Sequence, residues 1–145
     1  MEKSFTSYTD VINEMETLLK NGYVMHGKWT LGQICKHLSF YYKGSLEGFP
    51  GHIPWIIRVA FGWIIKRQFL SAKPLKKGGA TDPRSVFPEA EDKAAASEAI
   101  AYLRRLEKQT EPLQKSLLLG ELSNDEWQKL HLKHSAHHLG FLTSK

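Results

Sequence analysis

The sequence predicts an all-α fold: a bundle of four main helices with an extra apolar helix inserted between the second and third. Three observations predict it. Apolar residues recur at three- and four-residue spacing in four separate segments. Capping residues or a glycine bound three of those segments. No segment alternates strictly between polar and apolar, so no strand is expected. The 145 residues read as one domain, 1–145, large enough to bury a core.

The first helix is expected over about Thr6 to Asn21, with Tyr8, Val11, Ile12, Met15, Leu18 and Leu19 as its buried stripe and Gly22 as its stop. The second begins after Thr30 as N-cap and continues through Leu31, Ile34, Cys35, Leu38, Tyr41, Tyr42 and Leu46. "EGFPGHIP" ends it with two glycines and two prolines. The insert, Trp55 to about Leu70, is apolar almost all round, so it is either buried or applied to something greasy. "AKPLKKGGATDPRSVFP" follows as a long basic loop, a length more typical of a lid or binding element. The next helix is expected from about Glu91 to Gln109, burying Ala95, Ala99, Tyr102, Leu103 and Leu106. Ser123 and Glu126 form a capping-box pattern for the last helix, which runs from Asn124 to near the end.

The net charge is +5, and it is concentrated. From Trp55 to Phe87 the bases are Arg58, Lys66, Arg67, Lys73, Lys76, Lys77 and Arg84, against Asp82 alone. A basic middle attracts nucleic acid, an anionic membrane surface or a small anionic ligand. Nucleic acid is the weakest of these, because no helix-turn-helix or aromatic-interleaved basic strand accompanies the charge. The acidic, polar start does not read as a signal peptide, so none is expected there, and the apolar insert is short and interrupted by Arg58, so no transmembrane segment is expected. The single cysteine, Cys35, rules out an internal disulfide, sits on the apolar arc of its helix and reads as a small buried hydrophobe. A cytoplasmic location is the expectation.

The informative stretch is "LHLKHSAHHLGFL", residues 130–142, with four histidines. On a wheel of about 100° per residue, one arc holds Leu130, Phe141, His134, Trp127, His138, His131 and Leu142. The opposite arc holds Asp125, Glu126, Lys129, Lys133, Ala136 and Gly140, with His137 at its border. His134 and His138 thus fall at the centre of the expected buried stripe, one turn apart. Unpaired, each would cost about 1–3 kcal/mol. A shared metal is the common remedy, since residues four apart have Cβ atoms about 5–6 Å apart and zinc–nitrogen bonds are about 2.0–2.1 Å. A third ligand must come from another helix, and His37, at the margin of the second helix's stripe beside Tyr41, is the candidate. His131 shares the arc as a ligand, a partner or a pocket residue. His26 and His52, in expected loops, carry no role.

"WTLGQICKHL" at Trp29–Leu38 and "HSAHHLG" at His134–Gly140 resemble the opening and closing helix motifs of the DinB-like (YfiT-type) superfamily. The middle and late stretches, "EGFPGHIPWIIRVAFGWIIKRQFL" and "GELSNDEWQKLHLKHSAHHLGFL", resemble one branch of it filed as a domain of unknown function. The resemblance implies a four-helix bundle with a long crossover. It implies that His37, His134 and His138 face one divalent ion, zinc or nickel, with open positions, and that His131 and His137 are not ligands. It also implies homodimers, and activities such as metal-dependent hydrolysis or transfer to a low-molecular-weight thiol of the bacillithiol or mycothiol type.

Three neutral imidazoles with an open position make a catalytic rather than a structural kind of zinc site. The substrate would be a small molecule or a thiol, with Lys76, Lys77 and Arg84 receiving its anionic groups. Tyr41, Tyr42 and His131 are the nearest proton-transfer candidates, and Trp127 completes the lining. No catalytic residue is assigned. The alternative is a non-enzymatic helical dimerisation or binding module whose histidines bond core carbonyls.

Overall fold

A computed structural model describes residues 3–51, 55–71, 82–117 and 119–145. Within them the chain is mostly helical. Its helices are α1 (Tyr8–Asn21), α2 (Leu31–Glu47), α3 (Trp55–Leu70), α4 (Asp92–Lys108) and α5 (Asn124–Leu139), with a 3₁₀ turn at Pro83–Ser85. The helix starts follow local chemistry. Ser7 caps α1 by accepting from the Asp10 amide. Thr30 and Gln33 form a full capping box on α2, and Ser123 and Glu126 form another on α5. Glu91 caps α4 through the Ala94 amide at 2.8 Å. α1 ends at Gly22, whose φ of 77° is a glycine conformation.

Each of α1 and α2 packs on both α4 and α5. Val11, Met15 and Leu18 of α1, Leu31, Ile34, Leu38 and Tyr42 of α2, and Leu103 of α4 lie at the centre of the core. Ala95, Ala96 and Ala99 line the α4 face, with Ala96 buried where Tyr102 was expected and Tyr102 only half-buried. The small face lets α2 come close: a Cβ on Gly32 would stand 2.5 Å from the Ala90 carbonyl oxygen. Asp92, in the first turn of α4, accepts from the Gly32 amide at 2.8 Å and from the Tyr23 hydroxyl at 2.8 Å. Tyr23 Oη in turn accepts from the Leu31 amide at 3.1 Å. The N-terminus of α2 is therefore satisfied by side chains from two other segments. Cys35 is fully buried, and burial, with Asp92 nearby, pushes its thiol up to about 12.

Three sequence expectations need correcting. A small sheet exists: β1 (Tyr23–Met25) pairs antiparallel with β2 (Leu142–Ser144), Val24 opposite Thr143. Three residues per strand are too few to show alternation, and the pairing joins residues more than a hundred positions apart. Second, α5 stops at Leu139, so Phe141 and Leu142 do not belong on its wheel; Leu142 is buried from β2. Third, the buried face of α5 is Trp127, His131, Leu132, Ser135 and Leu139. His134 and His138 therefore lie at the edge of that face, partly exposed, rather than at its centre. His37, expected at a margin, is instead buried. No helix among the described residues is long and apolar enough to cross a membrane.

Candidate metal centre

α2 and α5 pack so that His37 meets His134 and His138, one turn apart on α5. One ring nitrogen from each lies within 4.8 Å of the other two. His37 Nε2 and His134 Nε2 are 3.1 Å apart. Two ligands on one tetrahedral ion at about 2.0–2.1 Å would be about 3.3 Å apart, so the His37–His134 pair is already at the spacing of a shared cation, with the His138 nitrogen within 4.8 Å of both. The three rings meet edge to face, with centroids 4.4 to 5.0 Å apart.

The tautomer of His37 follows from its other nitrogen. Nδ1 lies 2.9 Å from the Ser85 carbonyl oxygen. That oxygen only accepts, so Nδ1 carries the proton and Nε2 presents a lone pair to His134. Two sp² nitrogens 3.1 Å apart must share something between them, either a proton on His134 Nε2 or a cation. Ser85 is fixed in turn. Asp82 caps the 3₁₀ turn through the Arg84 amide at 2.9 Å, and Ser85 Oγ donates to the Asp82 carbonyl at 2.7 Å. A backbone carbonyl held this way orients a ligating imidazole as outer partners of metal sites do.

All three imidazoles are held neutral. Burial lowers His37, opposed by the Ser85 hydrogen bond. Burial, then the charges of His138 and His37, puts His134 well below its ordinary value. Burial, then His37 and His137, brings His138 down to about 3. Neutral imidazole is the form that ligates a metal.

The structure divides the remaining candidates. Tyr41 stands at the cluster, edge-on to His134 at 4.8 Å and to His37 at 5.2 Å, its hydroxyl 3.4 Å from Ser85 Oγ. His131, Tyr42 and Trp127 sit behind it in the core. His131 stacks on Trp127 at 5.0 Å, and its Nε2 bonds Ser45 Oγ at 2.8 Å. Tyr42 meets Ser135 through its hydroxyl, and the Trp127 indole donates to the Gln114 carbonyl at 2.9 Å. Arg84 is clamped, with contacts to the Asp82 carboxylate and 2.6 Å to the Pro50 carbonyl. Lys73, Lys76, Lys77 and His52 lie outside the described residues. His26 bonds Thr143 at 2.9 Å, away from the cluster.

Two site residues escaped the sequence reading. Trp29 stacks flat on His138 at 5.4 Å and meets His37 at 5.0 Å. Its signal was its place: immediately before the Thr30 cap, it lies eight residues, about two turns, ahead of His37. Ser85 contributes a backbone oxygen, which no side-chain pattern announces. His137 also borders the cluster, edge-on to His138 at 4.9 Å.

The cluster holds three neutral nitrogen donors. Such a set suits a borderline divalent ion. No curated protein and no solved structure matches the chain. A family model described as a protein of unknown function (DUF1569) matches residues 1–145, the whole chain. A match of that extent, over a helical chain that brings His37, His134 and His138 together, places this protein in the DUF1569 family.

Proposed function

We propose that this protein is a metal-dependent enzyme of the DinB-like four-helix-bundle type, in which His37, His134 and His138 hold one divalent ion, zinc or nickel. The observation that carries the reading is the 3.1 Å approach of the His37 and His134 nitrogens, with the His37 ring held from behind by the Ser85 carbonyl. When bound, the ion supplies Lewis acidity to a water or thiol on its open positions. The reaction class is hydrolysis of a small molecule or transfer to a low-molecular-weight thiol.

The chain's own contribution is preorganisation. Ser85 holds His37 with its lone pair toward the cluster. Trp29 lies flat on His138 and Tyr41 edge-on to His134, so the rings are set before any ligand arrives. Burial keeps the imidazoles unprotonated at neutral pH. The donor set carries no negative charge, which favours an anionic fourth ligand such as a thiolate or carboxylate.

Protein purified without an affinity tag or added metal, analysed by plasma mass spectrometry, is expected to carry about one zinc or nickel per chain. His134→Ala loses it. A wild type that folds normally and takes up no metal on titration would instead identify the histidines as hydrogen-bonded core of a binding module.

A further inference from the structure

α3 is apolar almost all round, and one apolar side of it is uncovered. Lys66 ties it to the bundle, pairing with Glu126 of α5 at 3.2 Å. Lys133 of α5 donates to the Gln68 and Ser71 carbonyls at 3.2 and 2.8 Å, neutralising the negative end of the helix. Apolar side chains along one side of it face outward. Ile56, Ile57, Val59, Trp63 and Ile64 are between 46% and 63% exposed. At about 100° per residue they fall on one contiguous half of the cylinder, with Arg67 on its midline and over the Trp63 ring at 5.9 Å. A surface helix normally turns polar residues to that side, and an apolar patch of this kind marks an interaction surface.

We propose that α3 docks this protein on the surface of an anionic membrane, its outward face lying in the headgroup and upper acyl layer. The helix is too short to span: 16 residues reach about 24 Å against a hydrocarbon core of about 30 Å. Its composition fits the interface. Trp prefers that layer, and an arginine beside it reaches lipid phosphate while its stem stays among apolar groups. Charge agrees, since α3 contains no acid, the stretch Trp55–Phe87 holds seven bases against Asp82, and the chain is +5. A second copy fits worse. A two-fold contact on this face would carry two Arg67 guanidinium groups into an apolar seam to which α3 brings no carboxylate.

The test is flotation of the full chain with vesicles of phosphatidylcholine alone and of phosphatidylcholine with about a third phosphatidylglycerol. The wild type is expected to float with the anionic vesicles and much less with the neutral ones. The double change Ile56→Ser and Ile64→Ser weakens that binding about tenfold or more. Arg67→Glu abolishes the preference for anionic lipid. Both variants alter exposed positions, and unchanged circular dichroism shows that they fold. His134→Ala floats like the wild type, so the result is independent of the metal reading. Wild type that stays in the soluble fraction, or a double-serine variant that floats equally well, overturns the proposal. A wild-type dimer that the serines split, with no vesicle binding, assigns the face to a second copy instead.

Discussion

His131 and His138 show how a single buried imidazole links pH to stability. Burial lowers both to about 3, against an ordinary value near 6.5. Between those values the unfolded chain binds protons that the folded chain refuses, so stability is complete above about pH 6.5 and falls as pH drops toward 3. The metal-free protein should therefore show a melting temperature that declines steadily from pH 7 to pH 4. His131→Gln keeps an amide donor for Ser45 but cannot titrate, and its decline over the same range should be shallower. An equal slope would mean that His131 is not a contributor. At this scale the sequence was informative and incomplete. The run of histidines in residues 130–142 holds two members of the cluster, His134 and His138, and "WTLGQICKH" holds the third, His37, on another helix. The apolar arc misplaces the stripe, because Phe141 and Leu142 lie beyond the end of α5 and His134 and His138 sit at the edge of its buried face. The true core positions of α5 include Ser135, Leu132 and Leu139, and a serine on a buried face looks like a solvent residue until its partner, Tyr42, is known.

Among the elements, glycines in α2 decide how closely its neighbours approach. A Cβ on Gly44 would stand 2.1 Å from the Phe49 ring, and Phe49 stacks on Trp127 at 6.1 Å. Gly44→Ala should push Phe49 off Trp127 and cost about 1–3 kcal/mol, the usual range for overpacking, measurable by urea unfolding. Asp92 is a second such point. Asp92→Ala removes acceptors from both the Gly32 amide and the Tyr23 hydroxyl and should cost about 1–3 kcal/mol, with α2 fraying first in hydrogen exchange. A loss below a few tenths would show that water replaces the carboxylate. The helices themselves were legible because their signals are local: caps at Thr30 and Ser123, a stop at Gly22, and apolar spacing over three or four turns. β1 and β2 were not, because three-residue strands gain their stability from each other and from Leu142 in the core, not from their own composition.

For the whole molecule, a cation held by His37 and by His134 and His138 would tie α2 to α5, two elements about a hundred residues apart in sequence. Adding zinc or nickel at about a hundred times its dissociation constant should then raise stability by about 2.7 kcal/mol, seen as a higher melting temperature that a chelator reverses. His37→Ala should abolish that increment, whereas His137→Ala, which leaves the three-nitrogen set intact, should retain it. An increment that persists in His37→Ala would place the ion elsewhere.

By itself the sequence determined what is short-ranged: where helices begin and end, which residue types could ligate, and that α3 is too apolar for an ordinary surface. Only the tertiary structure decided how these combine. Packing on the small face of α4 and against α5 buried His37 and set its nitrogen 3.1 Å from that of His134. It brought up the Ser85 carbonyl to fix the proton, and it left one apolar side of α3 facing outward. Those outcomes depend on contacts between distant residues, and the free energy of such a contact belongs to both partners at once, so neither segment carries it alone.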